Sequence, residues 1–402
     1  MAGYRDLLRT QGVGRIIAAQ LTARFPSGMT SLAILLHVEH ATGSYGAAGL
    51  VLAAASVGQA VAGPITSRWM GLWGMRRVLT LTTLVCAAAV AGIALLAVPL
   101  PVVMLLGLLA GLSTPPVQPA VRTIYPKMVN SRQLTPLFAL DASLQELIWI
   151  LAPVVVTLVS TQVSTVAGLM LIVVILLAGG AWFILSPELG QVRIPRSRRR
   201  FGTVLSRPPV LLATLVGFLL IGACAAVEAG VVAAFGGGGV EAGLVLAVFA
   251  IGSLVGGLVS GNIAMGRWAM ARRMAIVLVG LILATMFLNV WWISGSLLIA
   301  GIGVAPAFAV ISAMTTASVK FSDTAEAFGW VNTGQLIGAA AGSAIAGFLI
   351  DSAGPGGAYW TAAGFAAAGV LVCVVFVRGF PDLRFRDPSP IPDTAPVATI
   401  TS

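Results

Sequence analysis

Long apolar runs separated by short polar clusters set the pattern of this chain. The stretch 166–185 is apolar on every helical face. Runs of ~20 such residues match the length a helix needs to cross ~30 Å of hydrocarbon. A membrane barrel strand would alternate polar and apolar positions instead, so the pattern predicts helices. Spans are expected near 14–37, 44–67, 78–98, 101–123, 136–160 and 164–186, then near 209–235, 241–263, 274–293, 295–318, 327–350 and 356–378. Gly43 and Gly46 punctuate the first turn, Pro99 and Pro101 the third, and Gly236–Gly239 the turn after the seventh span.

Composition sharpens the picture. Of 402 residues, 58% are hydrophobic and 9% charged, far too few charges to cover a water-soluble domain. The net charge of +10 does not point to nucleic acid, because the cations sit in short loops between apolar spans. Counted along twelve spans, Lys and Arg fall at one end of the bundle, apart from Arg24 inside the first span. That one-sidedness predicts a multi-pass protein of the cytoplasmic (inner) membrane with both termini in the cytoplasm. The start, 1–15, is polar and basic, so no cleavable signal peptide is expected and the first span should remain in place. Cys86, Cys224 and Cys373 lie in apolar spans and read as small buried side chains; no metal spacing and no cofactor motif is present.

The longest polar break, 187–208, contains Arg196, Arg198, Arg199 and Arg200, which suit anionic lipid headgroups. It divides the chain into an N-terminal six-helix bundle (1–186) and a C-terminal one (209–380), with 187–208 as a basic cytoplasmic linker. The Pro-, Thr- and Asp-rich stretch 381–402 reads as a disordered cytoplasmic tail. The two bundles repeat each other. AGLVLAAASVGQAVAG (Ala48–Gly63) aligns with AGLVLAVFAIGSLVGG (Ala242–Gly257) at an offset of 194 residues. At an offset of 190, Gly111, Pro116, Phe138 and Gln145 align with Gly301, Pro306, Phe328 and Gln335. Parallel six-helix pseudo-repeats follow.

The loop after the second span, running from Gly63 through Gly74 to Arg76 and Arg77, resembles the major facilitator superfamily's motif between helices two and three. The Asp-Arg pair of that motif would fall on Gly71 and Leu72 and is missing. A weaker echo runs from Gly261 to Arg272 and Arg273. Ala152-Pro153 stands where the antiporter motif of span five has Gly-Pro. The resemblance covers about residues 5–380 and is strongest to drug and metabolite efflux-like members of actinobacteria. It implies an all-α membrane fold of twelve transmembrane helices, a monomer by default, and a cytoplasmic gate that includes Gly63, Gly74, Arg76 and Arg77.

Ionisable side chains inside spans are costly and mark solute or proton paths. Arg24 and Glu146 sit near the midplane of spans one and five, Glu228 in the outer half of span seven, and Asp141 nearer the cytoplasmic end of span five. Gln20 and Arg24 share a helix face, and Pro26 should loosen the backbone beside them. The expectation is that Arg24 meets Glu146, either as a proton-switched pair or as a fixed structural one. Glu228 serves either solute and proton contact or a wetted outer mouth. Asp141 is expected to pair with Arg122 at the cytoplasmic gate. Gln20, Arg24, Gln145, Trp149, Asn332 and Gln335 are candidates for the solute cavity, although Asn332 and Gln335 suit helix–helix hydrogen bonds equally well. His37 and His40 lie where span one leaves the membrane, either as sensors of external pH or, the favoured reading, as interfacial residues without a role. Trp291 and Trp292 read as interfacial anchors.

The favoured function is secondary transport of a small, amphipathic molecule by alternating access, coupled to protons as efflux. A facilitator or importer in the same fold is the alternative. The expected partners are solute, protons and membrane lipid. An enzyme would need a nucleophile–base pair or a metal cluster, and two histidines at one helix end supply neither.

Overall fold

The computed structural model describes residues 7, 9–195, 200–235, 241–260, 263, 265–384 and 387–393. The Gly236–Gly239 turn, Gly261 and three arginines of the linker cluster lie outside them. Twelve membrane spans follow in the expected order. Among the described residues, ten are long and apolar enough by themselves to cross a membrane. The other two are span one, which is broken, and span nine, Ala269–Ala284, which has 16 residues.

Span one consists of Val13–Arg24, a tight turn Phe25–Gly28 and Thr30–Thr42. Pro26 provides no N–H for the ladder, and side chains fill in. Ser27 Oγ donates to the Arg24 carbonyl at 2.6 Å and Thr30 Oγ1 to the Pro26 carbonyl at 2.7 Å. Gly43 closes the span with φ +66°. Spans two and three are Tyr45–Trp73 and Met75–Leu95. Span four is Leu100–Leu112 and Val117–Met128, interrupted by Thr114, Pro115 and Pro116. Spans five and six are Ser131–Gln162 and Thr165–Leu185. Spans seven and eight are Pro208–Phe235 and Glu241–Ser260, and spans ten to twelve are Val290–Ser318, Thr324–Ala353 and Gly356–Val375.

The boundary between spans nine and ten differs from the expected one. Trp291 and Trp292 open span ten rather than ending span nine, because Asn289 Oδ1 accepts from both their backbone N–H groups and starts a new helix there.

Packing makes the internal repeat physical. Span four crosses span two where a Cβ on Gly111 would strike the Ala55 carbonyl and lie 3.0 Å from Gln59 N. Span ten crosses span eight where a Cβ on Gly301 would strike the Phe249 carbonyl and lie 3.0 Å from Ser253 N. Ala55 to Phe249 and Gln59 to Ser253 are the same 194-residue step read from the sequence. Apolar burial does not favour one helix contact over another in lipid, so close backbone approach through glycine decides which helices pair.

The stretch after Pro381 departs from expectation. Its described residues are placed against the bundle rather than free. Leu383 N donates to the Met265 carbonyl at 2.9 Å and Ile391 N to the Val319 carbonyl at 2.9 Å. Phe321 N donates back to the Ile391 carbonyl at 3.1 Å, and Asp393 accepts from Ser322 N at 3.3 Å. The composition cannot build a core of its own, but the short extended segment between spans ten and eleven offers its backbone an edge to pair with.

Candidate functional site

Three elements bring polar side chains together inside the first six spans. They are the helical end of span one, the lower half of span four and the lower half of span five. Asp141 is fully buried and serves as their hub. It accepts from Gln20 Nε2 at 3.0 Å, from Tyr125 Oη at 3.1 Å and from Arg122 Nε at 3.2 Å. Arg24 approaches it at 3.5 Å and also donates to Gln20 Oε1 at 2.9 Å and to Gln145 Oε1. Arg122, 1% exposed, also lies against Gln118, whose amide oxygen accepts from both terminal nitrogens at 2.8 and 3.1 Å once the amide is assigned with its oxygen toward the guanidinium. Spacing accounts for this convergence. Gln20 and Arg24 are one helical turn apart, as are Asp141 and Gln145, so two short polar stripes face each other.

This arrangement corrects the expected Arg24–Glu146 pair. Arg24 is occupied by Asp141, Gln20 and Gln145. Glu146 lies one residue further along span five and therefore points about 100° away. Its Oε1 accepts from Ser253 Oγ on span eight at 2.9 Å, across the line between the first and last six spans. The same Ser253 oxygen also accepts from Ala305 N at 3.1 Å. Glu228 is exposed, and Trp149, one turn beyond Glu146, is 53% exposed.

Between Glu146 and the basic end, the first six spans pack onto the last six. Span two meets span eleven, span five meets spans eight and ten, and the lower half of span four meets span eleven. Gly63 and Gly329 face each other so closely that a Cβ on Gly329 would lie 2.8 Å from the Gly63 carbonyl. Thr333 Oγ1 donates to the Ala60 carbonyl at 2.8 Å. Arg68 and Glu326 form an ion pair at 2.9 Å, and Glu326 also accepts from Gly202 N of the linker at 2.8 Å. Phe201 packs its ring 5.6 Å from the Arg68 guanidinium and 5.6 Å from the Trp330 ring. Lys127 sits 4.6 Å from the Phe321 ring, and Arg122 lies 5.8 Å from the Phe328 ring. The basic end is thus the closed end.

Several expected site residues lie elsewhere. Arg76 donates to the Ser186 carbonyl at 3.2 Å within the first half, and Arg77 is exposed, so neither reaches across the closed end. Gly74 makes the turn into span three with φ +90°. Asn332 sits at the Gly63 contact rather than in a cavity. Gln335 packs against Gly217 of span seven. Sequence reasoning missed Arg68, Glu326, Phe201 and Ser253. Their signal was faint: Arg68 and Glu326 stand at span ends, where charge is unremarkable, and a serine in a glycine-rich helix marks nothing by itself.

The fold is that of a two-fold repeated membrane transporter, and the comparisons agree. The sequence matches the family described as Major Facilitator Superfamily over residues 16–288 and again over 225–400. The chain belongs to the major facilitator superfamily, whose members are transporters rather than enzymes. No curated protein matches it. Among solved structures, the human organic anion transporter MFSD10 (TETRAN) superposes with a TM-score of 0.71 at 14% identity, covering 90% of this chain and 98% of that one. A bacterial homologue of the iron transporter ferroportin in an outward-facing state superposes with a TM-score of 0.70, also at 14% identity and with the same coverage. The likeness is one of fold.

Proposed function

We propose that the protein moves a small, amphipathic molecule across the cytoplasmic membrane by alternating access, as proton-coupled efflux, with both termini in the cytoplasm. On this reading the structure is an outward-facing state, closed at the basic, cytoplasmic end by Arg68–Glu326 and the Gly63–Gly329 contact. The observation that carries proton coupling is Glu146. It is a carboxyl within a span, bound to Ser253 of the other half, and it stands where the halves must part. Protonation would change both its charge and its hydrogen bond to Ser253. Arg24 and Asp141 then form the polar floor of the cavity.

The test uses vesicles with an acidic lumen and a lumenal pH dye. Solute-dependent alkalinisation that Glu146→Gln abolishes is the expected outcome. Solute movement without proton flux, unchanged by the substitution, would favour the facilitator reading and make Glu146 structural.

A further inference from the structure

Two buried guanidiniums share one carboxylate in the first half, and that arithmetic leaves a surplus positive charge. Arg24 is 8% exposed and Arg122 1%, whereas Asp141, at 0%, is the one acid between them. Among the described residues, the carboxylate in contact with Arg24 is that of Asp141, at 3.5 Å. Glu146, the next acid along span five, is turned to Ser253 and does not enter this balance. The two glutamines, Gln20 and Gln145, provide oxygens but no charge. A buried charge without a full counter-charge is costly, so such a network favours an anion that completes it. Arg24 is the member placed to receive one. Its partner Gln145 is only part-buried, and the break at Phe25–Gly28 begins immediately beyond it. Arg122, in contrast, is enclosed by Asp141, Gln118 and the Phe328 ring.

We infer that the transported solute carries an anionic group, a carboxylate, sulfonate or phosphate, that docks on Arg24 and Gln145, and that Asp141 relays this docking to the closed end through Arg122. The relay follows from competition. Arg24 and Arg122 divide one carboxylate between them, at 3.5 and 3.2 Å. A solute anion that takes Arg24 releases Asp141 to Arg122 alone. A guanidinium drawn fully onto Asp141 moves away from Phe328, which belongs to span eleven of the other half. Filling the site therefore loosens a contact at the opposite end; in the export direction the same steps run backwards, solute leaving Arg24 outward as the basic end tightens. This inference rests on the transporter reading, with its cavity open on the side of Glu146 away from the basic end.

The test uses purified full-length protein in nanodiscs and two probes of like shape, 2-naphthalenesulfonate and neutral 2-naphthalenemethanol. Binding is measured by equilibrium dialysis. The sulfonate is expected to bind at least tenfold more tightly than the alcohol, to lose that margin in Arg24→Gln and to keep most of it in Arg24→Lys. A second readout is the distance between spin labels at Arg77→Cys and Arg267→Cys, both exposed at the basic end, with the three native cysteines replaced. The sulfonate should lengthen it, and Phe328→Leu should lengthen it without ligand and, because the coupling is reciprocal, tighten sulfonate binding. Absence of sulfonate binding, equal binding of both probes, or binding that survives Arg24→Gln overturns the anion site. Arg24-dependent binding with a fixed distance overturns the relay. Glu146→Gln is expected to bind the sulfonate like wild type while losing proton movement, so either reading can fail without the other.

Discussion

Asp141 is the residue whose loss should be felt most. It has no exposed surface, and Gln20, Tyr125, Arg122 and Arg24 all converge on it. Asp141→Asn keeps the shape but removes the one charge that two guanidiniums depend on. Stranding buried charge costs roughly 3–5 kcal/mol, so thermal unfolding in detergent should show a clear fall in midpoint. A midpoint within error of wild type would mean that the arginines have found other partners. At the other extreme stands Asp382, outside the membrane, where bonds from Arg384, the shortest at 2.6 Å, pull its carboxyl down to about 2. A folded-state value below the unfolded one means that the contribution is complete above the usual carboxylate range and is lost as pH falls through about 2. Amide exchange at Leu383 is therefore expected to show no pH-specific loss of protection between about pH 5 and pH 8, beyond the intrinsic change in exchange rate.

At the level of elements, glycine contacts select which helices pair, and these were legible from sequence. The 194-residue repeat placed Gly58 with Gly252, and the crossings of spans two with four and eight with ten reproduce it. Gly111→Leu or Gly301→Leu should each abolish the folded monodisperse species on size exclusion, because the obstacle is backbone that cannot move aside. Gly347→Leu, where nothing lies within 4 Å, should be tolerated. What the sequence did not disclose is azimuth. Glu146 and Gln145 are neighbours, and a 100° step per residue sends one to Ser253 and the other to Arg24. Depth alone made Glu146 the natural partner of Arg24; only the rotation of span five decides otherwise. The start of span ten was hidden for a similar reason, since Asn289 acts through a side-chain cap rather than through hydropathy.

At the scale of the whole molecule, the two halves meet through a latch whose polarity the loop motif did not foretell. The motif's acidic residue is missing at Gly71, and an arginine five residues into the same turn-proximal helix end, Arg68, instead reaches Glu326 of span eleven. Arg68→Glu should favour the opposite state, open at the basic end, read as new maleimide labelling of cysteines placed along the Gly63–Gly329 seam. Combining it with Glu326→Arg should restore the closed pattern at least in part. If the double exchange labels as readily as the single one, the pair is not the latch. The charge asymmetry read from sequence gathers the cations at this end, but it could not say which of them crosses the interface.

The isolated parallel bridge that Ile391 makes with Lys320, bonded to Val319 and Phe321 on either side, bears on how such a protein is handled in the laboratory. A fluorescent reporter joined directly after Asp393 would pull on the same few backbone bonds that seat this strap next to the closing surface. Expression and thermostability screens built on that fusion would rank variants partly by how well they keep the strap seated, and a variant chosen that way would owe its score to the handle as much as to the bundle.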